Sequence, residues 1–339
     1  MSEKLKPCFR CGSTDVNFSY FEEFGESSLH TTSNRTQIVT GSKSTYQPRR
    51  WKVRISTMKK GKIILRVFPR KTTMTPDDDR VIINRGPLLF DETPDEVHIS
   101  VLFTWDLPRA KQLKKLWERV CLNVSIGGPA TGQRGEGFVS GMYMKNGYTI
   151  TSRGCVNRCW FCDVWKREGN TIRELPITPG WNVLDDNLLR TSKSHLEKVF
   201  QMLAGQKRRP VFSGGLEAAA LTDWHIDYLV KAKPEQMFFA YDTPDDWEPL
   251  RDAGTRLKES GFGRHEMRAY CLIGYDGDTF DKATTRLEQC LHAGFVPMAM
   301  LYRSTSDPSR DLNGLAWKAL QREWARPAII YSKMKQEKK

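Results

Sequence analysis

The sequence predicts an α/β fold whose larger part is a parallel sheet, open or curled into a partial (β/α)6 barrel. Three observations predict it. Six apolar strand candidates recur along residues 146–339, helix signals fill the intervals between them, and glycine or acid/amide turns follow the strands at their C-terminal ends.

The strand candidates are Tyr148–Ser152, Trp181–Leu184, Pro210–Ser213, Met237–Tyr241, Arg268–Gly274 and Val296–Tyr302. Ser194 with Glu197 reads as a capping box that opens the apolar face Leu196, Val199, Phe200, Leu203. Thr243-Pro244 offers a cap with proline at the first helical position. Gly261 and Gly294 stand where a helix C-terminus needs positive φ. Upstream, Val97–Trp105 is a strand candidate, Leu107 to Val120 carries helical spacing, and Asn123–Ile126 is a second strand that runs into Gly127-Gly128-Pro129. This is a small Rossmann-like α/β unit with its glycine turn where such folds place ligands; a purely structural turn explains it as well.

These readings divide the chain into four. Residues 1–50 form a polar, basic segment containing Cys8 and Cys11; 51–145 the small α/β domain; 146–305 the partial barrel; and 306–339 a C-terminal helical extension. The net charge of +13 is unevenly placed, since residues 1–75 hold 15 Lys and Arg against 5 Asp and Glu. Arg49-Arg50-Trp51-Lys52 and Lys59-Lys60-Gly61-Lys62 suit contact with phosphates, so nucleic acid is a partner to consider, as is a solvated basic face. No apolar run is long enough to cross a bilayer and the N-terminus lacks a signal-peptide core, which predicts a cytoplasmic protein. Eight cysteines, five of them in two short motifs, read as metal ligands in a reducing compartment.

The decisive segment is Thr151-Ser152-Arg153-Gly154-Cys155-Val156-Asn157-Arg158-Cys159-Trp160-Phe161-Cys162. Three thiolates on one loop can hold three corners of an iron–sulfur cubane and leave the fourth iron open. At this cysteine content a chance C-x3-C-x2-C arises in roughly one chain in two hundred, whereas a bare C-x2-C arises in about one in five, so the triple is the informative pattern.

C-x3-C-x-aromatic-C after a strand, with βα units following, resembles the radical S-adenosylmethionine (SAM) superfamily. The resemblance covers about residues 146–305 and implies a TIM-like partial barrel. It also implies a [4Fe-4S] cluster on Cys155, Cys159 and Cys162, SAM chelated at the open iron, and reductive cleavage of SAM to a 5′-deoxyadenosyl radical that modifies a substrate. The electron donor would be a flavodoxin or ferredoxin.

Among the implied cofactor-binding residues is Phe161 in the motif itself. Two runs compete for the amino group of SAM: Asp185-Asp186-Asn187, similar to the runs of the branch with cobalamin-type N-terminal domains, and Ser213-Gly214-Gly215-Leu216-Glu217, similar to the family's glycine/acid motif. Turn residues explain the first run equally. Asp242 would meet a ribose or substrate hydroxyl, or cap the next helix; Arg268 would face the SAM carboxylate; Gly274 would allow close backbone approach; and Met298 would lie near adenine, or in plain core.

Segment 97–130 resembles the cobalamin-binding domain of that branch in degenerate form. No Asp-x-His-x-x-Gly loop supplies a cobalt ligand, so cobalamin is not expected and the domain reads as scaffold or substrate lid. Cys8 and Cys11 look like half a zinc ribbon that His30, Cys121 or a second subunit would complete; a non-functional relic or a lone thiol pair explains them as well. Cys121, Cys271 and Cys290 otherwise read as packing residues, and His195 and His225 as capping or packing residues. The alternative function is a zinc-containing nucleic-acid-binding protein without catalysis. Substrate and net reaction are not legible.

Overall fold

The computed structural model describes residues 62–134, 138–302 and 314–336; Cys8, Cys11, His30 and most of the basic N-terminal segment lie outside them. Two parallel sheets contain ten of the twelve strands of the described residues.

The first sheet is built from β1 (Ile64–Phe68), β2 (Val81–Ile83), β3 (Glu96–Ser100) and β4 (Val124–Gly127) in the order β2-β1-β3-β4, with every pair parallel. Helix α1 (Leu107–Trp117) joins β3 to β4, and its Ala110, Leu113 and Trp117 bury against Leu65, Val67, Val97 and Ile99. The Trp117 indole also donates to the Arg85 carbonyl at 3.1 Å, which satisfies its one polar atom in the core. Cys121 closes this core, its thiol 3.6 Å from the carbonyl of Asn123. Strands β1 and β2 were missed in the sequence. They are short, and β1 hides its alternation because Arg66 is buried among apolar neighbours, donating to the carbonyls of Gly141 and Met142.

Downstream come β5 (Gly147–Thr149), β6 (Ser152–Arg153), α2 (Val164–Arg167), β7 (Arg173–Glu174), β8 (Gly180–Val183), α3 (Lys193–Ala204), β9 (Val211–Leu216) and α4 (Asp223–Ala232). Then follow β10 (Gln236–Tyr241), α5 (Trp247–Glu259), β11 (Met267–Ile273), α6 (Phe280–Ala293), β12 (Val296–Leu301), α7 (Leu315–Ala325) and α8 (Pro327–Gln336). The six-stranded sheet runs β12-β11-β10-β9-β8-β5, all parallel. Sequential order with helical crossovers is what right-handed βαβ units give when the chain winds in one direction.

Both faces of this sheet are buried, and alternation sorts the side chains. Along β11, Met267, Ala269, Cys271 and Ile273 pack with helix residues such as Leu250, Leu257, Leu287 and Cys290. The intervening Tyr270 and Leu272 join Val211, Phe238, Met298 and Met300 on the other face.

Three boundaries differ from the sequence reading. Ser192, not Ser194, caps α3, its hydroxyl accepting from the His195 N–H, because the chain leaves extended geometry two residues earlier than the Ser/Glu spacing suggests. The expected strand Tyr148–Ser152 is split, its second part pairing with β7 as an antiparallel ribbon. Val97–Trp105 ends as a strand at Ser100 and turns through a 3-10 segment at Thr104–Asp106. No helix of the described residues is long and apolar enough to cross a membrane.

Candidate functional site

The β6–β7 ribbon ties together the base of a loop that carries the three cysteines and α2. Gly154 makes the closure sterically feasible: at φ 92° a side chain is strained, and a Cβ there would stand 2.1 Å from the Thr171 carbonyl oxygen. The loop then alternates. Cys155, Asn157 and Cys159 are buried, while Val156, Arg158 and Trp160 are exposed. Cys162 is buried too, and the three cysteines pack as one cluster with Val164, flanked by Phe161 and Trp165.

Two of the sulfurs receive N–H donors. The Val164 backbone donates to Cys162 Sγ at 3.4 Å, and the Asn187 side-chain amide donates to Cys155 Sγ at 3.4 Å. The Trp165 indole braces the loop differently, donating to the Cys159 carbonyl at 2.9 Å. Burial pushes the Cys159 thiol far above its ordinary range, reinforced by Cys162, Asp242, Asp246 and Glu217 around it. A thiolate there needs a positive partner. Among the described residues no group of three or more His, Cys, Asp or Glu converges to hold a metal ion. Convergence on one point is what a single ion needs; in a multi-iron cluster each cysteine meets a different iron.

The two runs that competed in the sequence meet in space. Gly214 in β9 lies so close to the end of β8 that a Cβ would stand 2.4 Å from the Asp185 carbonyl oxygen. Asp185 is buried and accepts three hydrogen bonds from the chain leading into the loop: Thr151 N at 2.6 Å, Thr151 Oγ1 at 2.6 Å and Ser152 Oγ at 2.7 Å. Asp186 accepts from Gly154 N at 2.8 Å and from Arg153 at 3.3 Å; burial pushes its pKa up to about 6, against the pull of Arg153. Both carboxylates thus clamp residues 151–154, directly before Cys155.

Asn187 faces the loop. Besides Cys155 its amide donates to Glu217 Oε2 at 2.7 Å, and its own Oδ1 is buried with no hydrogen-bond partner among the described residues. Glu217 is a hub: Arg190 grips both its oxygens, at 3.0 and 2.5 Å, and Asn157 of the loop donates to it at 3.3 Å.

The other predicted residues are distributed along the larger sheet, its loops and its helices. Phe161 reaches from the loop to pack against the cluster that contains Met298. Arg268 is buried with its guanidinium 5.7 Å from the Phe238 ring, and its Nε has no partner among the described residues. Asp242 is buried at the end of β10, where its backbone N–H donates to Asp246 Oδ2. Gly215 and Gly274 both have positive φ, and Gly274 N–H donates to Asp278 at 2.8 Å. His195 touches Thr151 Oγ1 at 3.3 Å, and His225 accepts from Thr222 N–H in the α4 capping box.

Sequence reasoning missed Asn157, Arg190 and an aromatic group in which Trp160 stands edge-on to Phe161, Tyr275 and Tyr302, with centroids 5.2–5.4 Å apart. Alternation with the cysteines marked Asn157. Nothing local marked Tyr275 and Tyr302, which come from two other strand ends.

A cavity of about 390 Å³ adjoins the loop's base. It opens at the C-terminal ends of β1, β3 and β4, where β2 and β3 flank β1 on opposite sides, and is closed by Arg153, Arg167 and Leu175 from the loop side. His98 lines it with both ring nitrogens engaged, by Tyr143 Oη at 2.7 Å and Glu96 at 3.2 Å.

No protein-family model matches the chain, and no curated protein matches it.

Proposed function

We propose that the chain is a radical SAM enzyme, with the six-stranded sheet forming a partial barrel and Cys155, Cys159 and Cys162 holding a [4Fe-4S] cluster at its C-terminal rim. The observation that carries this reading is the buried trio of sulfurs on one tied-down loop, with N–H donors on two of them. Cluster and SAM, when bound, supply one-electron cleavage of the sulfonium.

The donor set fits such a group. Three soft sulfurs are buried together, and Asn187, which donates to one of them, has a side-chain oxygen with no partner among the described residues. That oxygen would accept from the α-amino group of SAM. Asp185 and Asp186 keep the loop in register, their oxygens accepting from residues 151–154. Phe161, Met298 and Phe238 keep water from the face they line.

The test is protein purified without oxygen and assayed for iron, acid-labile sulfide and dithionite-dependent 5′-deoxyadenosine. Iron, sulfide and product are expected in the wild type and lost in the Cys155→Ala, Cys159→Ala and Cys162→Ala variants. Zinc without iron, or product that survives triple replacement, refutes the assignment.

A further inference from the structure

Asn187 contributes more than its free oxygen. Its amide nitrogen has two hydrogens and both are committed, one to Glu217 Oε2 at 2.7 Å and one to Cys155 Sγ at 3.4 Å. The first bond orients the second. Glu217 is itself fixed by two bonds from Arg190 and one from Asn157, so the amide is held at the end of a short charged chain and has little freedom to turn away. An N–H aimed at a thiolate favours whichever state carries more negative charge on sulfur. For an iron–sulfur cluster that is the reduced state, and hydrogen bonds to the ligating sulfurs are among the features that set its potential. The Cys162 donor is a backbone group and beyond the reach of side-chain change; the Cys155 donor is the Asn187 side chain, which a substitution can remove.

We propose that Asn187, oriented by Glu217 and Arg190, is a positioning residue that raises the reduction potential of the cluster bound through Cys155. The inference rests on the iron–sulfur reading above. The step it affects is the gain of one electron from an external reductant, with no bond made or broken.

The experiment is a redox titration with dithionite, followed by electron paramagnetic resonance, on the full-length protein after iron and sulfide have been quantified. Asn187→Ala removes the donor, and the reduction equilibrium is expected to move about tenfold toward the oxidised form, a midpoint about 59 mV more negative for one electron. Asn187→Ser guards against a folding failure, since its single hydroxyl cannot serve both Glu217 and Cys155; a shift in the same direction is expected.

Trp165→Phe is the control, because it deletes a hydrogen bond to the same loop that ends on a carbonyl and not on sulfur. Its midpoint is expected to match the wild type. If the wild type loads iron and sulfide but both Asn187 variants titrate with it, the inference fails and the enzyme reading stands. An equal shift in Trp165→Phe also overturns it, by making the effect a general loosening of the loop. A wild type that takes up no iron and sulfide overturns the underlying reading.

Discussion

Replacing Asp185 by Ala separates a loop clamp from a ligand. The side chain is 1% exposed, and its two oxygens accept from one backbone N–H and two hydroxyls, all at 2.6–2.7 Å. The hydroxyls can turn: Thr151 Oγ1 already lies 3.3 Å from His195 Nε2. The Thr151 N–H cannot, and leaving a buried donor unmade costs about 1–3 kcal/mol. Each hydrogen bond to an ionised group contributes about 1.5–3 kcal/mol, but burial pushes the Asp185 carboxyl upward, so part of that gain is already offset by desolvation. A net loss of about 3 kcal/mol is expected for Asp185→Ala. Asp185→Asn keeps an acceptor for the Thr151 N–H, and its amide can donate to hydroxyls that rotate to accept, so about 1 kcal/mol is expected. Urea unfolding followed by tryptophan fluorescence reads both, with the midpoint of the Ala variant about 1 M lower for a slope of ~3 kcal/mol per molar. Equal losses in the two variants, or an Ala loss under about 1 kcal/mol, would refute the clamp.

Three further outcomes can be checked. Burial pushes Asp246 up to about 7, while backbone N–H groups of Thr243 and Asp242 hold it down. Between the unfolded value of 3.8 and about 7 the folded state therefore keeps a proton the unfolded chain has released, so this group's contribution to stability falls as pH rises through that window. Asp246→Asn does not titrate, and its stability relative to wild type is expected to be about 2–3 kcal/mol more favourable at pH 8 than at pH 5 by paired urea curves; a difference independent of pH counts against the buried acid. Gly214→Ala forces β9 off the β8 end and is expected to cost more than about 3 kcal/mol by the same curves and to lower iron retention, whereas Gly277→Ala, with open space around its Cβ position, strains only its own backbone at φ 79° and is expected to leave iron retention unchanged. Trp117→Ala is expected to cost about 3–5 kcal/mol in thermal or urea unfolding, because it empties the core of the small sheet and orphans the Arg85 carbonyl.

The sequence carried most of the larger sheet, because strands buried on both faces read as continuous apolar runs and β8 to β11 are each punctuated by a glycine or acid near the end. It carried less of the smaller one: Arg66 breaks the pattern of β1, and three-residue β2 is too short to show any. The grouping of the candidate site was legible where chemistry and spacing coincide, in the cysteines and in the Asp185–Asn187 and Glu217 runs, which contact one another. Their division of labour was not. That the two acids face the chain before Cys155 and the amide faces sulfur depends on how closely β8 and β9 approach, and Gly214, a residue whose importance lies in an absent side chain, permits that approach. Arg190 was invisible for a related reason, since its meaning comes from a carboxylate 27 positions further along the chain.

The parity of the cysteine loop has its own consequence. Because successive residues point to opposite sides from 155 to 160, the ribbon has an inner script of Cys, Asn and Cys and an outer one of Val, Arg and Trp, written in the same six letters. A visiting macromolecule reads only the outer script. Changes at 156, 158 and 160 can therefore alter the outer face while the buried positions 155, 157 and 159 stay untouched, and a label attached at 158 would sit on that face without entering the pocket.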